Sequence, residues 1–100
     1  MKQIPFNRAD YVGPVLEAGE VAEAVVAAFR SLNTGVTVED RGSYLRVQCP
    51  GCCKVTRPAI ETFLGRPFQL PGDLECVMLS FKGSFTVTED EASWVASSTR

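Results

Sequence analysis

Four cysteines are the residues of this chain whose type and spacing could do chemistry. Cys49-Pro50-Gly51-Cys52-Cys53 places a C-x-x-C on a Pro-Gly turn, the shape of half a zinc site. The other half is missing, because only Cys76 remains and the chain has no histidine. A four-thiolate site would require the adjacent Cys52 and Cys53 to aim at one ion. A thioredoxin-like dithiol would want its first cysteine at a helix N-terminus, which lowers the thiol pKa. Here the segment falls between expected strands. Cys49 and Cys76 are expected on apolar strand faces, where a free cysteine behaves as a small hydrophobe. Reduced structural thiols are the preferred reading, with no metal ligand assigned. A cysteine-based metal-binding or thiol-redox module is the alternative.

The carboxylates offer less. Glu17, Glu20 and Glu23 gather near one expected helix start, and Glu89, Asp90 and Glu91 near a turn. A carboxylate pair does acid–base work when held in an apolar cleft. Nothing in the neighbouring sequence would desolvate these, so they read as a solvated face and a solvated turn. The absence of histidine removes the commonest general base and the commonest metal ligand. No catalytic residue and no cofactor site is assigned.

Arg41 and Arg46 are more suggestive. Asp40-Arg41-Gly42 is a polar turn. Arg46 alternates with Leu45 and Val47, so it shares the non-core face of a strand with Tyr44 and Gln48. Such a face is either a solvated, cross-strand-paired surface or a docking surface, since Tyr and Arg are enriched at binding hot spots.

The elements that must position these residues follow from local pattern. Residues 1–11 are polar and unpatterned, and read as a flexible arm. Residues 12–16 read as a strand. Pro14 has no N–H to give a ladder, which assigns this strand to an edge or a bulge. A helix opens at Ala18 or Gly19, with Glu20 and Glu23 in its first turns, where the helix dipole favours negative charge. Val21, Val25, Phe29 and Leu32 form its apolar stripe, and Asn33-Thr34-Gly35 ends it. A hairpin of residues 37–40 and 44–49 turns at Arg41-Gly42-Ser43. A short strand over 53–55 leads to a second helix, with Thr56 as N-cap and Pro58 in the first turn. Ile60, Phe63 and Leu64 face its core, Gly65 caps it, and Pro67 forbids continuation. Residues 74–81 and 84–88 read as a second hairpin around Lys82-Gly83, and residues 91–96 as a last strand bearing Trp94. The expected fold class is α+β. It comprises two β-α-β-β units, with two short helices packed on a mostly antiparallel sheet.

Composition bounds the function. One hundred residues, 45% apolar and 22% charged, suit a single domain over 12–100. A net charge of −2 with scattered Lys and Arg argues against nucleic acid, which needs a basic stripe. No apolar run reaches the roughly 18 residues of a membrane helix, and residues 1–5 lack a signal-peptide core. A soluble, cytoplasmic protein, monomeric when free, is expected.

Three segments taken in order resemble the small regulatory (effector, or coupling) proteins of soluble bacterial di-iron monooxygenases, nearest the toluene, phenol and alkene monooxygenase group. The first is Val12-Gly13-Pro14 with Ala18-Gly19-Glu20, preceded by Asn7. The second is Val38-Glu39-Asp40-Arg41 with Tyr44 and Arg46. The third is Leu64-Gly65-Arg66-Pro67-Phe68, followed by the hairpin expected over 74–87. The resemblance spans residues 7–95. It implies a protein without catalysis or cofactor of its own that binds the di-iron hydroxylase of the same system. Binding would tune active-site geometry, access of substrate and oxygen, rate and coupling. On this reading the hydroxylase interface is expected at Asn7, Arg8, Val12, Gly13, Pro14, Glu17, Arg41, Arg46, Arg66 and Phe68. The cysteine-rich turn departs from the family pattern, where small and charged residues are usual.

Overall fold

The computed structural model describes residues 10–96. The chain runs β1 (Tyr11–Glu17), α1 (Glu20–Leu32), β2 (Thr37–Asp40), β3 (Tyr44–Pro50), β4 (Cys52–Thr56), α2 (Arg57–Leu64), α3 (Gly72–Val77), β5 (Met78–Lys82), β6 (Ser84–Val87) and β7 (Glu91–Val95). The strands form two antiparallel sheets, ordered β2-β3-β1-β5 and β4-β7-β6. This is the α+β class expected, with one helix more than the sequence pattern suggested. The arm expected over residues 1–11 lies outside the described residues as far as residue 9. Tyr11 already opens β1, and the Asp10 carbonyl accepts a hydrogen bond from Gly51 N–H at 2.8 Å.

One core joins both sheets. Val12 and Leu16 of β1, and Leu45, Val47 and Cys49 of β3, point inward from the first. Cys53, Val55, Ala92 and Trp94 come from the second. Ala22, Val25, Ala28 and Phe29 of α1 close the cluster, together with Ile60, Phe68, Leu70 and Leu74. Burial of these side chains out of water is the main stabilising term. Trp94 anchors an aromatic row, with ring centroids 5.3 Å from Phe29 and 5.0 Å from Phe85, and Phe85 lies 5.2 Å from Phe81.

Local rules account for α2. The Thr56 side chain accepts from Ala59 N–H at 3.3 Å, Pro58 occupies the first turn, and Gly65 caps the end with φ 82°. Arg57 clips this helix to the β6–β7 turn, donating from Nε to the Glu89 carbonyl at 3.1 Å. In α1 the stripe differs from expectation. Val25 and Phe29 are buried, but Leu32 is 48% exposed, and Ala22, Ala24 and Ala28 complete the buried side. These alanines let α1 approach its neighbours closely. Phe63, expected in the core, is 50% exposed.

Three expectations need correction. Of the edge or bulge expected for the strand bearing Pro14, the edge is excluded, for β1 lies between β3 and β5. The proline is tolerated inside the sheet because the ladders of β1 are irregular. Pairing with β3 runs through Tyr11–Pro50 and Val12–Cys49 and resumes at Val15–Arg46. Pairing with β5 shifts register between Val15 and Leu16. The missing proline N–H therefore falls where the β3 ladder is interrupted. Residues 74–77, read as strand, belong to α3, which Pro71 caps and Leu74 anchors in the core. The second hairpin is absent, since β5 joins β1 while β6 joins β7. Gly83, at φ 105°, turns the chain from one sheet to the other.

Candidate docking surface

Among the described residues, the inner face of the four-stranded sheet is filled by the core along β1 and β3, while Leu79 and Phe81 of β5 stay about half exposed, and the outer face is not covered by another element. The register draws one row straight across it. Glu39 of β2 stands opposite Arg46 of β3, Arg46 opposite Val15 of β1, and Val15 opposite Ser80 of β5. Alternation puts Tyr44, Gln48, Tyr11, Glu17 and Lys82 on the same side. Arg46 and Glu17, expected at an interface, therefore share this face, and Arg41 stands at its β2–β3 end. Glu39 sits between the two arginines, with Arg41 Nη2 at 2.9 Å and Arg46 Nε at 3.4 Å. All three side chains are about half exposed. Such surface pairs hold geometry loosely and contribute little stability, so an incoming group can rearrange them at small cost.

Beside this row the face has a hollow. Gln48 and Lys82 flank Gly13, which carries no side chain and has φ 143°. The hollow measures about 60 Å³ and is lined by Arg46, Gln48, Ser80 and Lys82 among others. That is far below the roughly 300–1,000 Å³ of pockets that enclose small-molecule substrates.

The remaining expected interface residues divide differently. Val12 and Phe68 are each 1% exposed, and Gly13 and Pro14 are buried; the three β1 residues shape the surface from beneath, whereas Phe68 belongs to the core beside the loop after α2. The Phe68 N–H donates to Glu61 Oε2 at 2.9 Å, which pins the loop after α2. Arg66 belongs to another region, where its Nη1 meets Glu20 Oε2 at 3.0 Å and ties the exit of α2 to the start of α1. Asn7 and Arg8 lie outside the described residues. Val15, Ser80 and Lys82 were missed. The alternation of Met78-Leu79-Ser80-Phe81-Lys82 would have put Ser80 and Lys82 on one face, but nothing local announces that β5 lies beside β1.

The cysteines do not assemble. Cys49 and Cys53 are buried, while Cys52 and Cys76 are exposed. Cys76 lies on α3 rather than on an apolar strand face, because residues 72–77 are helical. Among the described residues no group of three or more His, Cys, Asp or Glu is placed to hold a metal ion. Cys53 donates its thiol hydrogen to Cys49. That bond holds the Cys49 pKa below the usual thiol value, and it joins burial in pushing Cys53 up. A second acceptor for Cys53 Sγ, the Val12 carbonyl, lies at 3.9 Å. This is the bonding of a buried structural pair. Among the described residues no helix is long and apolar enough to cross a membrane.

A closed core beneath one open, mixed-polarity sheet face defines a small binding protein. The comparisons with known proteins name its kind. Residues 10–95 match the MmoB/DmpM family. The chain is 42% identical over 85 residues to the alkene monooxygenase system effector subunit of Xanthobacter autotrophicus, covering 83% of each protein. Its fold superposes on a chain of the phenol hydroxylase–regulatory protein complex with TM-score 0.76, at 16% identity, over 85% of this chain and 97% of that one. It also superposes on the soluble methane monooxygenase regulatory protein B with TM-score 0.67, at 22% identity, over 96% and 71%. The chain belongs to the MmoB/DmpM family, and the resemblance to monooxygenase regulatory proteins is borne out.

Proposed function

We propose that this protein is the effector of a multicomponent monooxygenase, and that it acts by binding the di-iron hydroxylase through the open face of its four-stranded sheet. The observation that carries the reading is the 42% identity to an alkene monooxygenase effector subunit over most of both chains. The geometry supports the chosen face. Arg46, Tyr44, Val15 and Ser80 lie on one continuous surface of ordinary charge balance, while Arg66 is engaged with Glu20. Control is exerted by differential affinity: the protein favours whichever hydroxylase conformation it binds better, and to that extent only. Access of substrate and oxygen, rate and coupling then follow from the hydroxylase conformation. We place the protein in the cytoplasm, where exposed thiols such as Cys52 and Cys76 stay reduced. Reconstitution tests the function. With matched hydroxylase and reductase, added protein raises product formed per NADH consumed; turnover and coupling that ignore it would end the proposal.

A further inference from the structure

The two edges of the four-stranded sheet differ in character. β2 carries Glu39 and Asp40, charges of the kind that keep an edge strand from pairing with other chains. β5 runs Met78-Leu79-Ser80-Phe81 with no charge before Lys82. Leu79 is 57% exposed and Phe81 46%. The backbone puts them there. Val15 pairs with Ser80 and Leu16 with Met78, so Leu79 is an extra residue that neither opposes. A bulge at a sheet edge re-aims a side chain, and here it turns a leucine toward solvent. Phe81 stands opposite Pro14 and packs its ring against Phe85, which lies in turn against Trp94. It is therefore seated on the core and still half exposed.

Resting on the effector reading above, we infer that Leu79 and Phe81 form an apolar anchor by which the β5 edge seats on an uncharged, apolar patch of the hydroxylase. The area decides between occupants. A phenylalanine buries on the order of 200 Å² when fully covered, so these two side chains at half exposure offer roughly 200 Å² together. A stable dimer needs about 800 Å² from each partner, which the pair cannot supply alone. It can anchor a larger contact, in which a handful of desolvated side chains carry most of the energy. That larger surface is adjacent. Ser80, between the two on β5, belongs to the row that crosses the open face through Val15 to Arg46 and Glu39. The docking surface thus wraps from the open face around β5, and one partner covers both its polar and its apolar part.

The test places a charge in the anchor. Leu79→Lys does so, and Leu32→Lys puts the same charge on α1 in place of a leucine of similar exposure. Binding of each full-length variant to the matched hydroxylase is measured by titration calorimetry, with thermal melting as the folding control. A charge forced into an apolar contact must give up its water. The anchor therefore predicts that Leu79→Lys raises Kd at least tenfold while Leu32→Lys stays within twofold of wild type. Equal affinities for the two variants would overturn the anchor but leave the effector function standing. Sedimentation velocity of the free protein checks the other occupant: a wild-type dimer that Leu79→Lys splits would overturn the assignment and give the patch to a second copy. Wild-type protein that neither binds nor activates would end the effector reading, and the anchor with it. Should Leu79→Lys melt early, Leu79→Gln decides by the same comparison with Leu32→Gln.

Discussion

The backbone of Gly13 passes so close to Val47 that a β-carbon on residue 13 would overlap the Val47 carbonyl oxygen. This contact joins the middle of β1 to the middle of β3, between the core below and the open face above. Gly13 also sits at φ 143°, a region that L side chains rarely adopt. Both effects oppose any substitution. Gly13→Ala is expected to lower stability by at least about 3 kcal/mol, the sum of backbone strain and a forced shift of β3. Urea unfolding followed by far-UV circular dichroism measures it; a loss under about 1 kcal/mol would show that the two strands can part freely.

The thiols divide into two classes. Cys52 and Cys76 are exposed and should react with a thiol reagent in the native protein. Cys49 and Cys53 are buried and should not, although Cys49 has a lowered pKa, because the reagent cannot reach it. Ellman titration should count two thiols in buffer and all four in denaturant. Four fast thiols in the native protein would mean that β3 and β4 open readily.

Glu61 holds the loop that follows α2. Its Oε2 accepts from the Phe68 N–H at 2.9 Å and lies 3.5 Å from Arg57 Nη1. Glu61→Ala leaves that partly buried N–H unpaired and loosens Phe68, a core residue. The expected cost is about 2 kcal/mol, typical of a hydrogen bond to a charged group. Thermal and denaturant melts should agree on it, and a melting point equal to wild type would show the contact to be idle.

Much of this fold is written in short segments. Thr56, Pro58 and Gly65 mark both ends of α2 because capping is a local interaction between neighbours in sequence. The alternation from Tyr44 to Cys49 shows which side of β3 is buried because the strand period acts within the strand. Strand neighbours are another matter. Pro14 suggested an edge or a bulge, and only the interrupted pairing with β3 shows how a proline sits inside the sheet. Lys82-Gly83 suggested a hairpin turn, but Gly83 serves equally well to send the chain into a second sheet. The site inherited this limit. Arg46 could be placed on an outer strand face from sequence, whereas Glu17 was expected at the start of the first helix. Val15, Ser80 and Lys82 could not be joined to them, since that depends on β1 pairing with both β3 and β5. Val12 and Phe68 are family-like positions whose side chains turn out to build the core.

Two arginines separate the possible docking regions. Arg46 lies on the open sheet face, and Arg66 lies with Glu20 where α2 meets α1. Neither is needed for folding, as exposed ion pairs of this kind contribute little. The most direct test is the dissociation constant of the matched hydroxylase for Arg46→Ala and Arg66→Ala, each compared with wild type. The account predicts at least a tenfold rise for Arg46→Ala and a change within twofold for Arg66→Ala, with both variants melting like wild type. The reverse order, with Arg66→Ala weakened and Arg46→Ala unchanged, would contradict docking through the open sheet.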